Sequence, residues 1–192
     1  MRIGLLGGSF DPPHVGHLLA ASDAFESLAL DRLIFVPTAI QPFKAGQAGA
    51  TPEQRLAMVQ LLAADDPRFD VSAIEIERGG LSYTVDTLSA LASQWPAAEL
   101  FLLVGADVPS SFAKWRQPER IAELATIVVL ERSGEAPVLG GLPGTWRPLA
   151  TRRIDVSSTE IRRRVHEGKS IRGFVPDSVA GFIAAERLYR VR

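Results

Sequence analysis

The sequence predicts an α/β fold in which helices cover both faces of a doubly wound parallel sheet, with a small helical segment at the C-terminal end. Three observations predict it. Apolar runs of strand length recur at Ile3–Leu6, Leu33–Val36, Val71–Ile76, Leu100–Val104 and Ile127–Leu130. Stretches of helical period fill most of the gaps between them, the rhythm of parallel strands joined by crossover helices. The chain has 192 residues, 46% of them hydrophobic, which suffices for one well-buried core and is short for two. Residues 1–192 are therefore expected to form one domain.

The elements follow in order. Ile3–Leu6 opens the sheet, and Met1–Leu6 lacks the longer apolar core of a signal peptide. After His17, residues Leu18, Ala21, Phe25 and Leu28 step by three and four onto one helical face. Thr51-Pro52-Glu53-Gln54 reads as a capping box with proline at the first helical position, and Leu56, Val59 and Leu62 continue its buried stripe. A helix beginning at Tyr83 or Thr84 turns Val85, Leu88, Leu91 and Ala92 inward before Pro96 stops it. Ser157 and Glu160 have capping-box spacing ahead of the buried pair Ile161 and Val165. The last helix starts at Asp177 or Ser178 and buries Val179, Phe182 and Ile183. Ala39–Ala50 and the Gly- and Pro-rich Gly134–Gly144 read as loops.

Bulk properties exclude several classes. The 22 acidic and 21 basic residues leave a net charge of −1, so no global positive field draws the chain to nucleic acid or to an anionic membrane. No apolar stretch approaches the roughly 18 to 20 residues that cross a bilayer, so a cytoplasmic protein is expected. The absence of cysteine removes disulfides, thiolate metal sites and a cysteine nucleophile.

Chemistry is expected at the carboxyl ends of the strands, where ligands gather in open α/β sheets. The turn after the first strand reads Gly7-Gly8-Ser9-Phe10-Asp11-Pro12-Pro13-His14-Val15-Gly16-His17. Paired glycines let the backbone approach a ligand, and a helix start offers unpaired N–H groups, so the segment suits an anion. It carries neither G-x-G-x-x-G nor the Gly-Lys-Ser/Thr ending of a P-loop. Instead His14-Val15-Gly16-His17 can aim two imidazoles at one place, with Gly16 removing a side chain that would obstruct phosphates. Imidazole donors beside a polyphosphate offset the charge that accumulates as phosphorus is attacked. The plainer reading is a helix cap with two surface histidines.

Near the other end, Ser157-Ser158-Thr159-Glu160-Ile161-Arg162 opens a helix. Its hydroxyls and first amides can hold a terminal phosphate, with Arg162 supplying a forked cation one turn along. A purely structural cap is the alternative.

Together, the Gly-Gly-Ser-Phe-Asp-Pro-x-His-x-Gly-His opening and the Ser-Ser-Thr-x-x-Arg segment resemble the bacterial nicotinate-nucleotide adenylyltransferases, members of the nucleotidylyltransferase superfamily with a Rossmann-like fold. The resemblance runs essentially end to end. It includes Gln54–Met58, Ser82-Tyr83-Thr84-Val85-Asp86-Thr87, Gly105-Ala106-Asp107, Trp115, Arg132 and Val175-Pro176-Asp177. Class I aminoacyl-tRNA synthetases share a similar His-x-Gly-His but are far longer and carry a lysine-containing loop absent here.

The resemblance implies an enzyme that transfers AMP from ATP to nicotinate mononucleotide, yielding the deamido dinucleotide and pyrophosphate. It places Gly7, Gly8, Ser9 and Phe10 around the α-phosphate, and His14 and His17 on the phosphates beside Gly16. Ser157, Ser158, Thr159 and Arg162 would hold the far end of the triphosphate, and Gly105 and Asp107 the nucleoside. Magnesium is expected to arrive with ATP, bound mainly through its phosphates. Lys44 would sit near the transferred phosphate, though a solvated loop lysine reads equally well. Phe43 stands before it where the family usually has histidine. Tyr83, Thr84 and Val85 would present amides to the pyridine carboxylate and Trp115 would stack on the ring, against a plain core role for the tryptophan. Arg132, after the fifth strand, would meet a phosphate on the mononucleotide side; Asp107 could equally be a helix cap and Arg132 a surface charge. Nicotinamide mononucleotide as acceptor, or a nucleotide-binding module without catalysis, are the rival readings.

Overall fold

The computed structural model describes residues 1–40, 49–131, 139–152 and 154–190. Six parallel strands form one sheet in the order β3-β2-β1-β4-β5-β6. They are β1 Arg2–Gly8, β2 Arg32–Pro37, β3 Phe69–Val71, β4 Glu99–Gly105, β5 Thr126–Glu131 and β6 Trp146–Ala150. The order turns back between β1 and β4, which pair in register from Arg2 with Glu99 to Leu6 with Leu103. A crevice therefore opens past the carboxyl ends of these two strands, the switch point of a doubly wound sheet.

The helices are α1 Val15–Ser27, α2 Pro52–Ala63, α3 Ile74–Arg78, α4 Thr84–Gln94, α5 Val108–Ser111, α6 Pro118–Leu124, α7 Ser158–His166 and α8 Asp177–Ala185, with a 3-10 turn at Phe112–Lys114. Alternation along the strands divides the apolar side chains between the two faces. Leu6, Leu33, Phe35, Phe101, Leu103, Val128 and Leu130 pack with α1, α2, α7 and α8. Ile3, Leu5, Ile34, Val36, Leu100, Leu102, Ile127 and Val129 pack with α4, α6 and Phe112. Burial on both faces is why these strands read as continuous apolar runs. Among the described residues no helix is long and apolar enough to cross a membrane.

The Val71–Ile76 run is not a strand. Pairing with β2 ends at Val71, and Ile74–Arg78 forms α3, whose Glu75 carboxylate is buried and accepts the Thr87 hydroxyl at 2.7 Å. Ile74 and Ile76 mimic strand alternation but lie on a short helix. The strand β6 was not read from sequence at all. It is an edge strand with Arg147 and Pro148 exposed, a composition suited to an edge and poor in apolar signal. The capping box at Thr51 and Gln54 forms with both of its hydrogen bonds.

Candidate active site

The turn after β1 is fixed by carbonyl acceptors and long-range donors. Gly8 O accepts Thr38 N at 3.0 Å and Ser9 O accepts Arg55 Nη1 at 2.7 Å. Because a peptide plane sends C=O and the following N–H in opposite directions, the Phe10 amide faces away from the buried Arg55 guanidinium. Phe10 adopts a left-handed φ of 49°, uncommon for a residue other than glycine, and its ring is buried edge-on to Phe35 and His17. An added Cβ on Gly8 would lie 3.2 Å from that ring, so the residue there must be small. The Asp11–Pro12 peptide is cis.

His14 is the N-cap of α1 and is 3% exposed. Its ring lies 3.8 Å from that of His17, centroid to centroid, at 30°. The His14 amide donates to His17 Nδ1 at 3.1 Å, which leaves the His17 proton on Nε2, where the ring can act as a donor. The two imidazoles thus share one spot, as the spacing predicts. Two details differ from the sequence reading. Val15 N already donates to Phe174 O and His17 N to His14 O, so imidazoles and loop amides outweigh the helix start as anion donors. At Gly16 an added Cβ would meet His14 Nδ1 at 3.0 Å and Ile154 at 3.2 Å, so glycine here makes room for the His14 ring.

The start of α7 reaches this turn across most of the chain. Arg162 Nη1 donates to Asp11 O at 2.7 Å and Ser158 Oγ to Pro12 O at 2.7 Å, while Arg162 Nη2 donates to Thr159 Oγ1 at 3.3 Å. Ser157 caps the helix by accepting Glu160 N at 3.2 Å. With its hydroxyl proton committed to the loop, Ser158 can meet an anion through its amide, one of the helix-start amides with no carbonyl partner within the helix.

The residues expected on the pyridine side lie at the start of α4. Ala39 N donates to Ser82 Oγ at 2.9 Å and Ser82 N to Ile40 O at 2.9 Å, which ties the end of β2 to the approach of α4. Tyr83 is the extended N-cap, and Asp86 N turns back to Tyr83 O, so Thr84 and Val85 head the helix with amides that helical geometry leaves without an internal partner. Asp86 also sits in this first turn, a carboxylate beside the amides expected to meet an anion. Arg116 answers it: its guanidinium lies 4.6 Å over the Tyr83 ring and 3.8 Å from Asp86. Trp115 is half-buried and tilted against Phe112 at 5.5 Å, so it belongs to the packed layer while keeping an exposed part. Gly105 ends β4, and its missing Cβ leaves room for Asp107, whose Oδ1 would lie 2.7 Å from one. Asp107 precedes α5 without a side-chain cap bond.

Lys44, Phe43 and Arg132 lie outside the described residues. Sequence reasoning missed Arg55, Arg116 and Tyr189. Arg55 is 6% exposed and holds both Ser9 O and Ala39 O, while Tyr189 donates to Asp11 Oδ1 at 2.6 Å. Two signals were available for Arg55: it lies within the Gln54–Met58 stretch, and its spacing to Met58, Val59 and Leu62 puts it on the inner face of α2. Cavities of about 460 Å³ between α7 and α8 and about 390 Å³ between α1 and α2 lie off the crevice, with none of these site residues in their walls. The site residues lie along the crevice groove at the strand ends.

Comparison with known proteins bears on this geometry. Residues 5–164 match the Cytidylyltransferase-like family, which takes in the His-x-Gly-His turn and the Ser-Ser-Thr-x-x-Arg helix. The chain is 49% identical to a protein of Gemmatimonas aurantiaca named "Probable nicotinate-nucleotide adenylyltransferase", over 99% of this chain and 93% of that one. It is 48% identical to a Thermus thermophilus protein of the same name, over 99% of this chain and 100% of the other. Its fold resembles that of Plasmodium falciparum nicotinic acid mononucleotide adenylyltransferase complexed with NaAD, with a TM-score of 0.79 at 16% identity over 98% and 97% of the two chains. The fold and the paired signatures define a nucleotidyltransferase. More narrowly, the chain belongs to the nicotinate-nucleotide adenylyltransferase family.

Proposed function

We propose that this protein transfers the adenylyl group of ATP to nicotinate mononucleotide, forming the deamido dinucleotide and releasing pyrophosphate, a step of NAD biosynthesis. The observation that carries the reading is the pair of 2.7 Å hydrogen bonds from Ser158 and Arg162 to the carbonyls of Pro12 and Asp11. They set a guanidinium and a helix start against the turn that bears His14 and His17, the arrangement a triphosphate needs at its two ends.

In this reaction an oxygen of the acceptor phosphate attacks the α-phosphorus in line, and the bond to the β-phosphate bridging oxygen breaks. The acceptor is already ionised near neutral pH, so no general base and no covalent enzyme intermediate are required. The protein's contribution is alignment and neutralisation of charge. His17 Nε2–H and the His14 ring face the α- and β-phosphates, the Phe10 amide supports the α-phosphate, and Arg162 with the Ser158 and Thr159 amides holds the departing pyrophosphate. The Thr84 and Val85 amides receive the pyridine carboxylate, with Trp115 along the ring and Arg116 offsetting Asp86. Gly105 and Asp107 lie where the ATP nucleoside would rest.

Magnesium would arrive with ATP, held mainly through its phosphate oxygens and water, while the Asp11 carboxylate is engaged by the Tyr189 hydroxyl and the Ala50 amide. When bound it supplies charge neutralisation on the phosphates.

The test is pyrophosphate release from ATP with each pyridine mononucleotide side by side. Release with nicotinate mononucleotide and at least tenfold less with its amide is expected, a ratio equivalent to about 1.4 kcal/mol. A higher rate with the amide form would reassign the acceptor. No release with either would leave only a nucleotide-binding module.

A further inference from the structure

Four segments distant in sequence meet at Asp11. Its Oδ1 accepts the Tyr189 hydroxyl at 2.6 Å and Ala50 N at 3.1 Å. Its main-chain carbonyl accepts Arg162 Nη1 at 2.7 Å. Two residues earlier, Arg55 grips Ser9 O, and the charges of Arg55 and Arg162 both act on Tyr189. Carboxylate, carbonyl and guanidinium are thus linked through a single residue of the phosphate turn. Tyr189 is the only one of these groups supplied by the tail beyond α8.

We propose that Tyr189 is a positioning residue for the triphosphate end of the groove: by fixing Asp11 it sets where Arg162 stands against ATP, an inference that rests on the function proposed above.

The tail is shaped to deliver this hydroxyl. After α8, Leu188 N returns to Ile183 O and Arg187 N to Ala184 O, a Schellman closure with Leu188 buried against the core. Arg187 and Tyr189 both take left-handed φ values, 53° and 61°, where glycine would be easier. The chain accepts two unfavourable backbone positions in three residues, and the second falls on the residue whose hydroxyl reaches Asp11. A tail that merely covered the core needs Leu188 but not the hydroxyl. Burial, and then the Asp11 carboxylate, push the Tyr189 hydroxyl far above its ordinary range, so it stays protonated and donating through the neutral range. Burial lowers the Arg55 guanidinium while Asp11 opposes that, so a cation faces the pair from α2 as Arg162 does from α7.

Tyr189→Phe removes one oxygen and leaves the ring. It is expected to raise the KM for ATP roughly tenfold, with the KM for nicotinate mononucleotide within about twofold of wild type and the fold retained at a modestly lowered melting temperature. In an Arg162→Ala background the same substitution should add almost nothing, because the group it positions is gone. Binding of a non-hydrolysable ATP analogue, followed by calorimetry, should weaken in parallel. The inference is overturned if Tyr189→Phe leaves ATP affinity unchanged, weakens both substrates alike, or acts with full effect without Arg162. A wild-type chain that releases no pyrophosphate breaks the functional reading instead, and calorimetry still decides the role of Tyr189.

Discussion

The phosphate turn and the start of α4 both offer anion donors at the same edge of the sheet, yet they are held in different ways. The turn is bound by groups from remote parts of the chain: Arg55, Ser158, Arg162 and Tyr189 all reach it, and His14 and Phe10 are buried beneath it. The start of α4 is tied to the end of β2 through Ser82 and otherwise lies open, with Tyr83 and Thr84 half-buried and the Arg116 side chain 52% exposed. On the proposed function, the first must keep its donors where charge develops during reaction, and preorganised donors do that at no cost when the barrier is crossed. The second would have only to tell a carboxylate from an amide. Alterations in the turn should therefore act on turnover, and alterations at α4 on acceptor preference.

His17→Ala is the strongest way to break this contrast. Loss of one transition-state donor costs about 2.7 to 4 kcal/mol, so turnover should fall about 100- to 1,000-fold with the circular dichroism spectrum unchanged. A near-normal rate would mean that the turn is only a cap.

Gly16→Ala sharpens it. In an ordinary helix this change stabilises, by roughly 0.5 to 1 kcal/mol. Here the new methyl would press on the buried His14 ring at 3.0 Å. The helix gain and the overpacking oppose each other, so the melting temperature should change little while turnover drops about tenfold, since small misplacements of reacting groups are costly. If turnover survives, the His14 ring can move without penalty and the rigidity ascribed to the turn is wrong.

Much of this was legible in the sequence because it depends on local pattern. Strands β1, β2, β4 and β5 announce themselves by being buried on both faces, and the two signatures mark the turn and α7. What escaped depends on approach in space. Arg55 acts on main-chain carbonyls, which any residue supplies, so nothing in the target positions reveals it, and the docking of Arg162 on Asp11 O is hidden in the same way although its motif marks the residue itself. Tyr189 and Asp11 are 178 residues apart, and no periodicity connects them. Ile74 and Ile76 alternate like a strand because α3 is barely more than one turn long, too short for helical period to show.

At the other end of the groove, Thr84→Pro removes one amide donor at the first helical position, where proline is tolerated and the fold should survive. The ratio of kcat/KM for nicotinate over nicotinamide mononucleotide should fall about tenfold, the range for a hydrogen bond to a charged group. Turnover at saturating acceptor should change little. An unaltered ratio would move the carboxylate away from α4.

The smallest effect belongs to Arg116, and it tests what kind of force operates at this end. Its guanidinium offsets Asp86 from 3.8 Å and covers the Tyr83 ring at 4.6 Å, so removing it could act through charge or through packing. The two separate by acceptor. An exposed charge is screened, so Arg116→Ala should lower kcat/KM for nicotinate mononucleotide by about threefold at low salt and less at high salt. The nicotinamide form, which has no carboxylate to repel, should be unaffected. Equal losses for both acceptors, insensitive to salt, would assign Arg116 to holding the Tyr83 ring and leave the helix amides alone to recognise the carboxylate.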